Sequence, residues 1–157
     1  MPGWLKNSLR YEYAAAIFDQ RREEAFALLQ KIRQEGPEEP VKSRSNFLIG
    51  RYYQESGELR RALDIFKTLA ELRADRTGAA AQMNIARILK DLDKREEAAF
   101  EYLKVSYIFP DYPDLVEEAI FEATLLFRSL GAMDKAQQLY TKLKNEFPLS
   151  RRIIELE

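Results

Sequence analysis

NFLIGRYYQESGELRRALDIFKTLAEL, residues Asn46 to Leu72, is the stretch from which the fold can be read. Apolar residues recur at three- and four-residue intervals on both sides of Ser56-Gly57-Glu58, the pattern of two amphipathic helices joined by a tight turn. Gly50, Tyr53, Gly57, Leu59, Ala62 and Phe66 stand where a helical hairpin needs small, large, turn, large, small and large residues. Two helices that cross closely need small side chains at the crossing, because any bulk there holds the backbones apart.

Outward from this stretch the same grammar repeats. Ala25, Ala62, Ala98 and Ala136 are spaced by 37, 36 and 38 residues. Gly50, Ala86 and Thr124 precede the last three of these by twelve, and Tyr53, Leu89 and Phe127 follow three later. Phe66, Tyr102 and Tyr140 come four after the alanines, and Leu69, Val105 and Leu143 seven after. Pro37, Pro110 and Pro148 sit twelve after theirs. Two helices per unit at such a period predict an all-α solenoid of antiparallel hairpins, in which stacking supplies the core that one hairpin lacks. The hairpins are placed at about 6–39, 43–76, 79–112 and 115–150, with a tail at 151–157, in a single domain spanning 1–157.

Within this frame the first helix is expected over Ser8–Phe18, with residues 1–7 showing no pattern. Tyr13 falls where a small residue is required, which suggests a shifted register in that helix. The second helix runs over Glu23–Gln34 and ends at Gly36-Pro37. The third pair covers Thr77–Lys90 and Lys94–Ile108, and the fourth Leu115–Leu130 and Met133–Asn145. Asp114 is expected to cap the fourth pair and Ser150 a short tail helix carrying Ile153, Ile154 and Leu156.

The chain holds no cysteine and no histidine. Thiolate chemistry and the commonest general base and metal ligand are therefore missing. Glu23-Glu24 and Glu96-Glu97 sit in first turns of second helices, where the helix dipole favours anions, and Glu117-Glu118 is a third such pair; helix stabilisation explains them better than acid–base catalysis. Phosphate loops, dinucleotide fingerprints and metal motifs do not occur. The chain reads as a non-enzyme with no cofactor and no metal. Balanced acids and bases argue against nucleic acid as a partner. Apolar runs are too short to span a membrane, and no secretory signal opens the chain, so it reads as soluble, cytoplasmic or periplasmic. Net charge is −1, but residues 41–90 carry +5 and residues 91–157 carry −5. Such asymmetry suits a steered partner surface.

The small–large spacing resembles that of the tetratricopeptide repeat family, over roughly residues 6–150. The long linkers, with turns such as Phe109-Pro110-Asp111-Tyr112-Pro113, look like the repeats of bacterial cell-envelope proteins, among them the Tol-Pal coordinator and the outer-membrane assembly lipoprotein. The resemblance implies a right-handed superhelix whose concave groove, lined by first helices, binds a peptide or partner protein. Candidate groove contacts are Arg44, Arg51, Arg87, Lys90 and Arg128, with Phe47, Met83 and Phe121 at equivalent positions beside them. Arginine's planar fork suits carboxylates, so an acidic peptide is the expected ligand. Some members of the family clamp a terminal carboxylate with a Lys and Asn set. Of the matching positions here, Phe47, Arg51, Asn84, Glu118 and Glu122, only Asn84 conforms, which argues against that mode. The alternative reading is a self-assembly module acting through the solenoid ends, the C-terminal one above all.

Overall fold

A computed structural model describes residues 1–157. It contains α1 (Gly3–Ile17), α2 (Arg22–Gln34), α3 (Val41–Glu55), α4 (Leu59–Leu72), α5 (Arg76–Asp91), α6 (Arg95–Ile108), α7 (Pro113–Ser129), α8 (Met133–Glu146) and α9 (Arg152–Leu156), and no strand. The helices alternate as first and second members of four hairpins, with α9 as the tail. The chain folds as two compact units, Met1–Leu69 and Ala70–Glu157.

In the first unit α1 packs on α2 and α3, and α2 on α3. Ala14, Ile17, Phe18, Ala25, Leu29, Ile32, Leu48 and Ile49 form its core. The crossing of α3 and α4 shows why position 50 is a glycine. A Cβ there would lie 2.8 Å from Cε1 of Phe66, a ring that is itself buried and packed on Phe47 with centroids 5.5 Å apart.

In the second unit α5 packs on α6 and α7, and α7 on α6 and α8. Ala86, Leu89, Ala98, Tyr102, Val105, Thr124, Phe127, Ala136 and Leu143 are all buried, as the spacing requires. Thr124 is the one polar residue at a crossing, and its hydroxyl donates to the carbonyl of Ile120 at 2.7 Å, so nothing polar is stranded. Burial also pushes the Tyr102 phenol well above its ordinary pKa, with the Glu122 carboxylate adding to the shift.

The last three hairpin turns share one hydrogen-bond pattern. The amides of Glu58, Lys94 and Ala132 each reach back five residues, to the carbonyls of Tyr53, Leu89 and Phe127, at 2.8–2.9 Å. This closes the helix with one left-handed residue. Gly57 and Gly131 supply it at φ 82° and 73°, and Asp93 does so at φ 59°.

Two sequence expectations change and a third is met. α1 begins at Gly3, so the unpatterned residues 1–7 are mostly helical. Trp4 is exposed there. The first crossing uses buried Ala14, one residue beyond Tyr13, which confirms the register shift. Asp114 does not cap α7, which starts with Pro113 at its first turn; the carboxylate instead receives both guanidinium arms of Arg76. The capping aspartate is Asp75, whose Oδ1 accepts from the amides of Thr77 and Gly78 at 3.1 and 3.3 Å.

In the tail, the Ser150 hydroxyl accepts from the Arg152 amide at 3.2 Å. α9 lies on α8 with Ile153 and Leu156 buried, whereas Ile154 points outward at 72% exposure and Leu149 stands at 97%.

Candidate functional site

The candidate contacts fall on α3, α5 and α7, the first helices of three hairpins. In the second unit α5 and α7 lie side by side. Arg87 and Lys90 are three apart on α5, and Glu118 and Glu122 are four apart on α7, so each pair shares a helix face. The packing aligns them: Arg87 donates to Glu118 at 2.7 Å and Lys90 to Glu122 at 2.7 Å. Arg152 from α9 approaches the other oxygen of Glu118 at 4.0 Å and lays its guanidinium over the Phe121 ring, 5.1 Å from the centroid. Ser150 donates to Glu117, and Asn84 turns its amide back to the carbonyl of Ala80 at 2.9 Å.

The result is a ladder of alternating sign. The bases of α5 do not stand as a cluster of like charge, because each meets a carboxylate of α7. Glu118 and Glu122 occupy the positions where a terminal-carboxylate clamp would need bases, and these acids are what neutralise Arg87 and Lys90. The trace of the ladder in the sequence is that 87/90 and 118/122 each share a helix face; that the two faces meet is decided by the packing of α5 on α7. The pairs lie at the surface, where each contributes about 0–1 kcal/mol. They are therefore exchangeable for groups of a partner at small cost.

The other candidates separate. Arg128, on α7, forms no ion pair and does not join the ladder. Met83 is wholly buried and Phe121 nearly so, which corrects their placement in a groove: both belong to the core of the second unit. Apolar side chains one helical step from core positions turn inward here because α5 and α7 are covered on more than one side, by α6 and by each other. In the first unit Phe47 is half-buried against Phe66. Arg44 is exposed. Arg51 is a tie within the fold, with its guanidinium 4.8 Å from the Phe18 centroid and ion pairs to Asp19 at 3.2 Å and Glu55 at 2.9 Å.

No cluster of three or more Asp and Glu side chains is arranged to hold a metal ion. No helix is long and apolar enough to cross a membrane.

Antiparallel hairpins of two short helices, repeated about every 37 residues with small residues at each crossing, define a helical-repeat protein. Two tetratricopeptide repeat models match the sequence, one over residues 79–112 and one over 118–150, the third and fourth hairpins. The chain is a tetratricopeptide-repeat protein. Comparison with curated protein sequences gives no match. Among solved structures, it is similar to the nearly identical TPR-like repeats of a Podosopora anserina chain described as a kinesin light chain. The TM-score is 0.70 at 16% identity, over 99% of this chain and 83% of that one. A single-substitution form of that protein gives the same values. At that identity the likeness concerns the fold. Repeats of this family generally mediate interactions between proteins.

Proposed function

We propose that the chain is a non-catalytic scaffold that binds a protein or peptide on the α5–α7 face. The observation that carries this reading is the partly exposed ladder of Arg87–Glu118 and Lys90–Glu122 on neighbouring first helices. A partner segment with acidic groups pairs with Arg87 and Lys90, and basic groups beside them take over Glu118 and Glu122. Rigid helices hold the ladder's spacing, so recognition needs little ordering of the scaffold. The partner is thus expected to be of mixed charge, and acidic where it meets α5.

Exchanging Arg87 and Lys90 together for Glu tests this. Partner capture by the wild-type chain is expected to weaken at high salt, and capture by the double variant to vanish, with the melting temperature within a few degrees of wild type. Recovery of the same partners by the variant would reduce the ladder to a solvated face.

A second reading, self-association through the C-terminal end, draws on Leu149 and Ile154, two large apolar side chains left open beside α8 and α9. Light scattering after size exclusion separates the two readings. An oligomer that Ile154→Asp dissolves supports assembly, and a monomer with intact capture supports the scaffold alone.

A further inference from the structure

Where α2 hands over to α3 in the first unit, the surface dips into a cavity of about 370 Å³ lined by Arg33, Gly36, Pro37, Lys42, Ser45 and Asn46. A second cavity of about 220 Å³ shares Arg33 and Asn46 with it and continues against Asp64, Ile65, Thr68 and Leu69 of α4. All these residues belong to one compact unit.

The charges here are of one sign and lie beside a buried hydroxyl. Arg10, Arg51, Arg87 and Lys90 each reach a carboxylate within 3.2 Å. Arg33 of α2 and Lys42 of α3, which both line the larger cavity, reach none. Every charged side chain lining that cavity is a cation. Ser45 adds a second, independent sign. It is 1% exposed, and its hydroxyl has no hydrogen-bond partner, although buried hydroxyls are ordinarily satisfied. The Asn46 amide, which lines both cavities, supplies donors with no partner inside the protein.

Two unpaired cations with amide and hydroxyl donors are a receptor for an oxyanion, since a guanidinium and an ammonium form their strongest hydrogen bonds with carboxylate or phosphate oxygens. The larger cavity exceeds what such a group fills, and the adjoining one offers the apolar side chains of Ile65 and Leu69. We infer that this paired cavity binds an oxyanion, carboxylate or phosphate, attached to an apolar group. The oxyanion lies between Arg33 and Lys42, and the apolar group lies against Ile65 and Leu69. The site is separate from the α5–α7 face and does not depend on the function proposed for it.

The test is a titration of the full ¹⁵N-labelled chain, following the amides of Gly36, Lys42, Ser45, Asn46 and Thr68. The probes are acetyl-Leu-Leu with a free carboxylate, its amide, and inorganic phosphate. The free acid is expected to shift these amides saturably and the amide to bind roughly tenfold or more weakly, as loss of a charge-assisted hydrogen bond requires. Arg33→Ala and Lys42→Ala should each weaken the acid to a similar degree without changing the melting temperature, since neither residue holds the fold together. Shifts with phosphate alone, lost in the same variants, would support the oxyanion site and name phosphate as its source. Equal binding of acid and amide would overturn the proposal, and so would the absence of shifts with every probe at tens of millimolar.

Discussion

The first and fourth hairpins solve one problem in two ways. In the fourth, α7 and α8 are separated by three residues, Gly131 takes the left-handed conformation, and the crossing residues Thr124 and Ala136 are twelve apart. In the first, four residues separate α1 from α2, none of them is left-handed, and the crossing residues Ala14 and Ala25 are eleven apart. The amides of Gln20 and Arg21 both return to the carbonyl of Ile17, at 3.1 and 2.7 Å, where the other turns reach back five residues. A longer connection thus goes with a shorter spacing. The left-handed residue reverses the chain at once and lets the first helix run further before it turns. Without it, α1 stops earlier and the loop does the turning. Outside the crossing, Tyr13 becomes a surface residue that accepts from Arg21 at 2.6 Å and donates to Glu24 at 3.2 Å. The repeat spacing is therefore a property of the turn chemistry as much as of the helices.

The sharpest way to break this comparison is at the crossing itself. Ala14→Phe should overpack the first hairpin and cost about 1–3 kcal/mol, as Ala86→Phe should in the third. Tyr13→Ala should cost less than about 1 kcal/mol, because it removes only exposed contacts. Thermal melts in which Tyr13→Ala is the more damaging of the two would return the crossing to position 13.

Next in size is the cap of α5. Asp75→Ala should cost about 1 kcal/mol, with Asp75→Asn recovering much of it. Arg73 first, and then the amides of Gly78 and Thr77, hold the Asp75 carboxyl below its usual pKa. A depressed folded pKa means that the carboxylate's contribution is fully present above the unfolded value, about 3.9, and is lost as pH falls through the folded one. The gap between wild type and Asp75→Ala in urea melts should therefore narrow on acidification below about pH 4. A gap that stays constant to about pH 2 would remove the charged cap from the account.

The smallest effects concern the turns. Gly131→Ala forces a Cβ into left-handed backbone and should cost about 1 kcal/mol. Asp93→Gly relieves the same strain in the third hairpin and should gain a few tenths, since aspartate tolerates that conformation better than most residues. The equivalent change in the first hairpin, Gln20→Gly, has no left-handed residue to relieve and should give no gain. Stabilisation by Gln20→Gly, measured by the same melts, would show that the first turn is strained after all.

Sequence alone determined the all-helical repeat, the positions of three of its four crossings, the turn at Gly57 and the burial of Ala25, Ala62, Ala98 and Ala136. These follow from local spacing and side-chain size, which a chain carries whether or not it is folded. It also marked the first hairpin as irregular through Tyr13, without showing that Ala14 takes over. What only the tertiary structure decided is which charges meet. Arg87 and Glu118 are 31 residues apart, and no rule of helix periodicity says that the packing of α5 on α7 brings them within 2.7 Å. The same packing turned Met83 and Phe121 inward, because a helix covered by two neighbours buries more than the single stripe its period suggests. The unpaired Arg33 and Lys42 stood in the sequence as two more bases in a charged chain. Only the fold set them around one cavity with a buried, unpartnered hydroxyl, because electrostatic partners are chosen by distance in space and not along the chain.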